Sequence, residues 1–222
     1  MTWHPDIPQE YRNQIVTGDA RELAKRIPDE SIDLIFTDPV YDRIEDYEWL
    51  ADTAARVLKQ DSACLVWTAT SHLPEVLTAM IPPLEWAWML YWQKYGACYP
   101  GKTGICVIAE CLWLQKGSSR TRRKIADWRG AGYDMSNRNS KHKWSKPESV
   151  LREWIDAFSQ CEAIIFDPFT GGGTVPAVCK ILSRNYIAFE IDPDTADLAR
   201  ERVLNTQPPL FVPEPEQLEM ME

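Results

Sequence analysis

The chain has 222 residues, 45% of them hydrophobic, and a formal net charge of −9, which is enough apolar content to bury one substantial core. No apolar run approaches the roughly 20 residues of a membrane span, the N-terminal MTWHPDIPQEYR lacks a signal-peptide plan, and six cysteines without a CxxC pair argue against a zinc or disulfide framework; a soluble, cytoplasmic chain with reduced thiols and no metal is expected. So large an excess of acid also excludes a surface coated uniformly for nucleic acid, and any such binding must come from a local concentration of cations.

Seven stretches rich in β-branched and aromatic residues read as strands, at 14–19, 31–38, 62–69, 84–93, 104–115, 162–168 and 185–190. Most of the gaps between them read as helices. Residues 44–59 place Tyr47, Leu50, Ala54, Val57 and Leu58 on one face, 147–158 open with a proline at a helix start, and 174–182 and 193–204 complete the set. Strands alternating with helices imply an α/β, Rossmann-like, mainly parallel sheet covered on both faces, with ligands bound beyond the carboxyl ends of its strands. Residues 1–206 are expected to form one domain, and the proline- and glutamate-rich 207–222 a tail outside the core.

The second predicted strand ends in Asp38-Pro39-Val40-Tyr41. An exocyclic base amine is a poor nucleophile because its lone pair is delocalised into the ring. A carboxylate and a neighbouring carbonyl that accept its two hydrogens draw the nitrogen toward tetrahedral geometry, and an aromatic ring can stack on the extruded base. Asp-Pro is equally a common strand-ending turn. Further on, GACYPGKT (96–103) satisfies the phosphate-loop pattern, but the residues after it are strand-like where a helix is required. It reads as a hairpin loop in which Lys94 and Lys102 can still meet phosphate.

From Lys116 to Lys146 ten basic residues stand against two acids, Asp127 and Asp134. Arg120, Arg122, Arg123, Lys124, Arg129, Arg138, Lys141 and Lys143 are the candidates to track a phosphate backbone, with Trp128, Tyr133 and Trp144 interleaved for stacking; a merely solvated loop has the same composition. The sixth strand runs into AIIFDPFTGGGTV, a strand, an acid, a glycine-rich turn and a helix start. Such a turn brings backbone close to a ligand and turns free amides toward it, although α/β folds also use it structurally. The seventh strand ends at Glu190, where a carboxylate can accept bonds from ribose hydroxyls.

These motifs, in this order, resemble the amino-methyltransferases of DNA, specifically the permuted beta group, in which the catalytic motif precedes the cofactor motif. Asp38-Pro39-Val40-Tyr41 matches that family's Asp-Pro-Pro-Tyr at three of four positions, with Val40 in place of the second proline. The resemblance implies a seven-stranded sheet opened so that Asp19 comes just after the first strand and Glu190 ends the last. It implies S-adenosyl-L-methionine as cofactor, held by Asp167, Pro168, Phe169, Gly171, Gly173, Thr174 and Glu190, with Asp19 near the adenine amine. His142, Lys146 and Pro147 reproduce the family's His-x-x-x-Lys-Pro element, which adds Lys146 to the cofactor set. Asp38, Pro39 and Tyr41 become the catalytic residues and adenine N6 in DNA the expected target, read through a short or relaxed sequence. Cytosine N4, RNA and a non-catalytic nucleic-acid binder stay open as alternatives, as does a homodimer, and an ATPase at 96–103 is the reading from a different class.

Overall fold

Apolar residues alternate across the central strands, so that neighbours such as Ile35 and Phe36 bury against opposite faces. The computed structural model describes residues 3–93, 99–101, 104–130 and 146–208. Its elements run β1 (Gln14–Thr17), α1 (Ala20–Leu23), β2 (Ile32–Thr37), α2 (Ile44–Val57), β3 (Leu58–Thr68), α3 (Leu73–Met80), β4 (Glu85–Gln93), β5 (Tyr99–Gly101), β6 (Gly104–Cys106), β7 (Ile108–Lys116), β8 (Trp128–Arg129), α4 (Glu148–Phe158), β9 (Ile164–Asp167), α5 (Thr174–Ile181), β10 (Asn185–Glu190) and α6 (Pro193–Asn205).

The main sheet has the order β1-β10-β9-β2-β3-β7-β4-β8. Pairing is parallel from β1 to β3, antiparallel where β7 meets β3 and β4, and parallel again between β4 and β8. On one face α2 and α3 bring Tyr47, Leu50, Val57, Val76 and Met80 against Ile35, Val66 and Phe166. On the other, α4, α5 and α6 cover Phe36, Leu65, Trp67 and Ile165; the Trp154 ring lies 5.3 Å from Trp67 and 6.2 Å from Phe36. Helices on both faces of a mostly parallel sheet are the expected α/β architecture.

Three boundaries differ from the reading of the sequence. The run 104–115 divides at Val107 into β6, which pairs with β5, and β7, which joins the main sheet. β3 begins at Leu58, four residues early, because Leu58 pairs with Ile32 and is fully buried, a contact that outweighs its place on the helical face of α2. β8 adds an eighth strand of two residues, too short for a periodic signal. Because β6 and β7 come directly after the phosphate-loop pattern, the helix a working loop needs is not there; Lys94, Gly96, Lys102 and Thr103 themselves lie outside the described residues, as do 209–222 of the expected tail. No helix among the described residues is long and apolar enough to cross a membrane. Of the cysteines with described side chains, Cys64, Cys111 and Cys179 are buried free thiols and Cys161 is exposed.

Candidate active site

Parallel strands present their carboxyl ends on one side of a sheet, and along the order β1-β10-β9-β2 each of the four ends carries an acid. Asp19 lies just past β1, Glu190 ends β10, Asp167 ends β9 and Asp38 lies just past β2. A row of carboxylates on one rim suits a cationic ligand that also offers hydroxyls and amines to bind.

Glu190 and the glycine turn form one unit. Glu190 Oε2 accepts from the Gly171 amide at 2.9 Å and Oε1 from the Asp192 amide at 3.0 Å. Thr170 N donates to Phe189 O, and Gly18 N to Glu190 O. The turn is therefore hung on the end of β10 and linked across it to β1. Gly173 caps α5 in the left-handed region at φ 73°, with Ala199 of α6 packed against its Cα. Arg202 of α6 donates to Gly172 O at 3.3 Å and to the Thr174 hydroxyl at 2.7 Å, and faces Glu148 of α4 at 3.7 Å. Phe169, beside buried Pro168, meets the edge of the Trp49 ring, 5.7 Å between centroids. Asp19 accepts from Arg21 N at 2.8 Å as the N-cap of α1.

Asp167 is buried at the end of β9 and accepts from the Thr37 hydroxyl at 2.7 Å and from Phe169 N at 3.3 Å. Burial pushes its carboxyl up to about 7; those bonds pull the other way, and the Asp38 charge adds to the rise. The neutral form is thus favoured by folding, so its contribution to stability is complete below about pH 4 and is lost as pH rises through about 7. The unfolding free energy of the native chain is expected to fall by up to about 4 kcal/mol more than that of Asp167→Asn across this window. Urea denaturation of both proteins from pH 4 to 8 checks it, and parallel curves would refute it.

The Thr37 bond ties the end of β9 to the end of β2, since Thr37 directly precedes Asp38. Pro39 is buried, Val40 is 56% exposed, and Tyr41 is partly buried. Lys146 Nζ donates to Asp38 Oδ2 and, at 2.8 Å, to the Tyr41 hydroxyl. Burial, and then the Asp38 charge, push the Tyr41 phenol well above its usual range, so it stays protonated. Asp38 Oδ1 is buried and accepts no hydrogen bond among the described residues.

The structure thus brings Asp38, Tyr41 and Lys146 into direct contact and joins Glu190 to Gly171. Lys146, which the resemblance assigns to the cofactor, sits on the catalytic motif. In the basic segment Arg123 meets Asp156 and Glu153 of α4, Arg129 pairs with Glu153, and Arg122 donates to Ser159 O at 3.0 Å. Part of the positive charge therefore fastens the segment to α4, while Arg120, Arg122, Lys124 and Trp128 remain exposed. Arg138, Lys141, His142 and Lys143, with Tyr133 and Trp144, lie outside the described residues. Sequence reading missed Thr37, Trp49, Trp67 and Arg202. Thr37 adjoins a motif and was within reach, whereas Arg202 has no local signal and matters only because α6 packs on the turn.

A family model described as DNA methylase matches residues 92–201. The chain is 24% identical over 232 residues to the type II methyltransferase M.HpaI of Haemophilus parainfluenzae, covering 86% of this chain and 74% of the relative. It is 24% identical over 250 residues to the DNA adenine methyltransferase YhdJ of Escherichia coli strain K12, covering 88% and 85%. Among solved structures, the cytosine-N4-specific PvuII DNA methyltransferase superposes with a TM-score of 0.74 at 18% identity over 87% of this chain and 86% of that one. A complex of M1.HpyAVI with its SAM ligand gives 0.73 at 21% identity over 86% and 98%. At such identities the structural likeness establishes the fold.

Proposed function

We propose, on the match of residues 92–201 to the DNA methylase family model, that this chain belongs to that family and transfers a methyl group from S-adenosylmethionine to the exocyclic N6 of adenine in DNA, with Asp38, Pro39 and Tyr41 as the catalytic residues. The observation that carries the assignment of residues is Asp38. Its carboxylate stands at the end of β2, beside the Asp167 strand and one strand further from that of Glu190, with one buried oxygen that accepts no hydrogen bond among the described residues.

S-adenosylmethionine, when bound, supplies an electrophilic methyl on a sulfonium and leaves as a neutral thioether. The donor set of this chain fits such a group. Glu190 would take the ribose hydroxyls, Asp19 the adenine amine, and the turn from Asp167 to Thr174, with the Phe169 ring, the methionine portion; the carboxylates of Asp19 and Glu190 suit its positive charge. Asp38 accepts one N–H of the target amine and the Pro39 carbonyl the other, which draws the nitrogen lone pair out of conjugation, while Tyr41 lies against the base. Asp38 is also positioned to take the proton that the alkylated nitrogen sheds. Arg120, Lys124 and the further cations of the segment 116–146 supply contacts to phosphate.

Incubation with methyl-labelled S-adenosylmethionine and unmethylated DNA or RNA, then digestion to nucleosides and mass spectrometry, is expected to yield N6-methyldeoxyadenosine from DNA. N4-methyldeoxycytidine as the main product would overturn the choice of base, and label confined to RNA the choice of polymer.

A further inference from the structure

Lys146 Nζ, besides its bonds to Asp38 Oδ2 and the Tyr41 hydroxyl, lies 5.3 Å from the centroid of the Tyr41 ring and 5.1 Å from that of Trp67. Its side chain is only 11% exposed. A primary amine is thus held by a carboxylate, a phenol oxygen and the ring of Trp67. The exocyclic amine of an extruded base asks for the same surroundings, an oxygen acceptor for its N–H and a ring against which to lie. The two differ in charge. Alkylation builds positive charge on the target nitrogen, and an ammonium fixed on the same carboxylate opposes that charge in surroundings that screen poorly. Although Oδ1 stays open while Lys146 holds Oδ2, two cationic nitrogens on one carboxylate repel each other, so transfer is favoured once Lys146 has withdrawn.

We infer that Lys146 is an internal stand-in for the target amine, holding Asp38 and Tyr41 in place until the entering base displaces it. It keeps a partly buried carboxylate satisfied before the base arrives, and it competes with the base for that carboxylate. The apparent affinity for DNA is then lowered by the fraction of molecules in which Lys146 has withdrawn. This rests on Asp38 being the amine acceptor, as proposed above.

Steady-state methyl transfer by the native chain and by Lys146→Ala, with DNA and cofactor varied in turn, tests it. The variant is expected to show a KM for DNA lower by about tenfold, the change that arises if roughly one molecule in ten is open in the native chain, with the KM for S-adenosylmethionine unchanged. Methylammonium chloride, which fits the space left by the alanine, is expected to raise the variant's KM for DNA back toward the native value. Tetramethylammonium chloride at equal ionic strength, having no N–H to donate, is expected to leave it low.

A fall in kcat that methylammonium restores would overturn the inference, because the cation would then be needed during transfer. A raised KM for S-adenosylmethionine with unchanged KM for DNA would overturn it in favour of a cofactor role, and unchanged constants would overturn it outright. Lys146→Met keeps the aliphatic stem against Trp67 without the charge and carries the same expectation for the KM of DNA if the alanine variant does not fold. Should the native chain methylate no DNA, it is the reading of Asp38 that fails first; with native activity intact, the outcomes above concern Lys146 alone.

Discussion

Asp38→Ala is expected to slow methyl transfer by about a thousandfold while S-adenosylmethionine still binds within a few-fold of its native affinity. The loss is large because the carboxylate does two things that water in its place does not. It holds an acceptor in fixed position against the amine, and it stands ready for the proton that the nitrogen loses. Binding of the cofactor survives because the Gly171–Glu190 bond and the Thr37–Asp167 bond involve neither carboxylate oxygen of Asp38. Single-turnover rates with labelled cofactor, beside calorimetric titration of the same preparation, separate the two quantities. A parallel loss of cofactor affinity would instead make Asp38 part of the binding site.

Gly173→Ala is expected to destabilise the fold by about 3 kcal/mol and to weaken cofactor binding at least tenfold. Two separate strains add. The residue sits at φ 73°, a conformation that L side chains avoid. A Cβ there would also lie 2.9 Å from Ala199 Cβ, 3.0 Å from Ala199 Cα and 3.1 Å from its carbonyl oxygen. Two of these neighbours are backbone, so α6 must shift, and Arg202, which holds Gly172 and Thr174 from that helix, shifts with it. Urea denaturation and cofactor titration read the two effects. Adding Ala199→Gly relieves only the contact with Cβ, so the double variant should recover part of the stability and not all of it; full recovery would show that the backbone conformation is not strained.

The fold was readable where the signal is local. The apolar run of β2 closed by Asp-Pro, the IIFD of β9 before three glycines, and the β10 strand ending in Glu190 each carry element and chemistry within a dozen residues. The resemblance carried by their order implies a sheet with the Asp19 strand first and the Glu190 strand last; in the fold these two, β1 and β10, pair side by side. What escaped reading depends on contacts between distant residues. Lys146 meets Asp38 across 108 positions, and Thr37 meets Asp167 across 130. Neither residue advertises its partner, since lysine and threonine are ordinary choices at a loop and a strand end. The basic segment shows the opposite failure. Its composition suggests cations free to track phosphate, yet the acids that hold Arg123 and Arg129 lie in α4, more than twenty residues further along the chain.

Glu190 binds Gly171 with one oxygen and Asp192 with the other, and both bonds form without help from any ligand. The glycine turn is thereby shaped during folding, when its ordering entropy is lost together with that of the rest of the sheet. On the proposed reading, a nucleoside arriving at β10 would meet a template already cast, and little conformational freedom would remain to be surrendered at binding. Affinity for the cofactor and rigidity of the scaffold then rise and fall together.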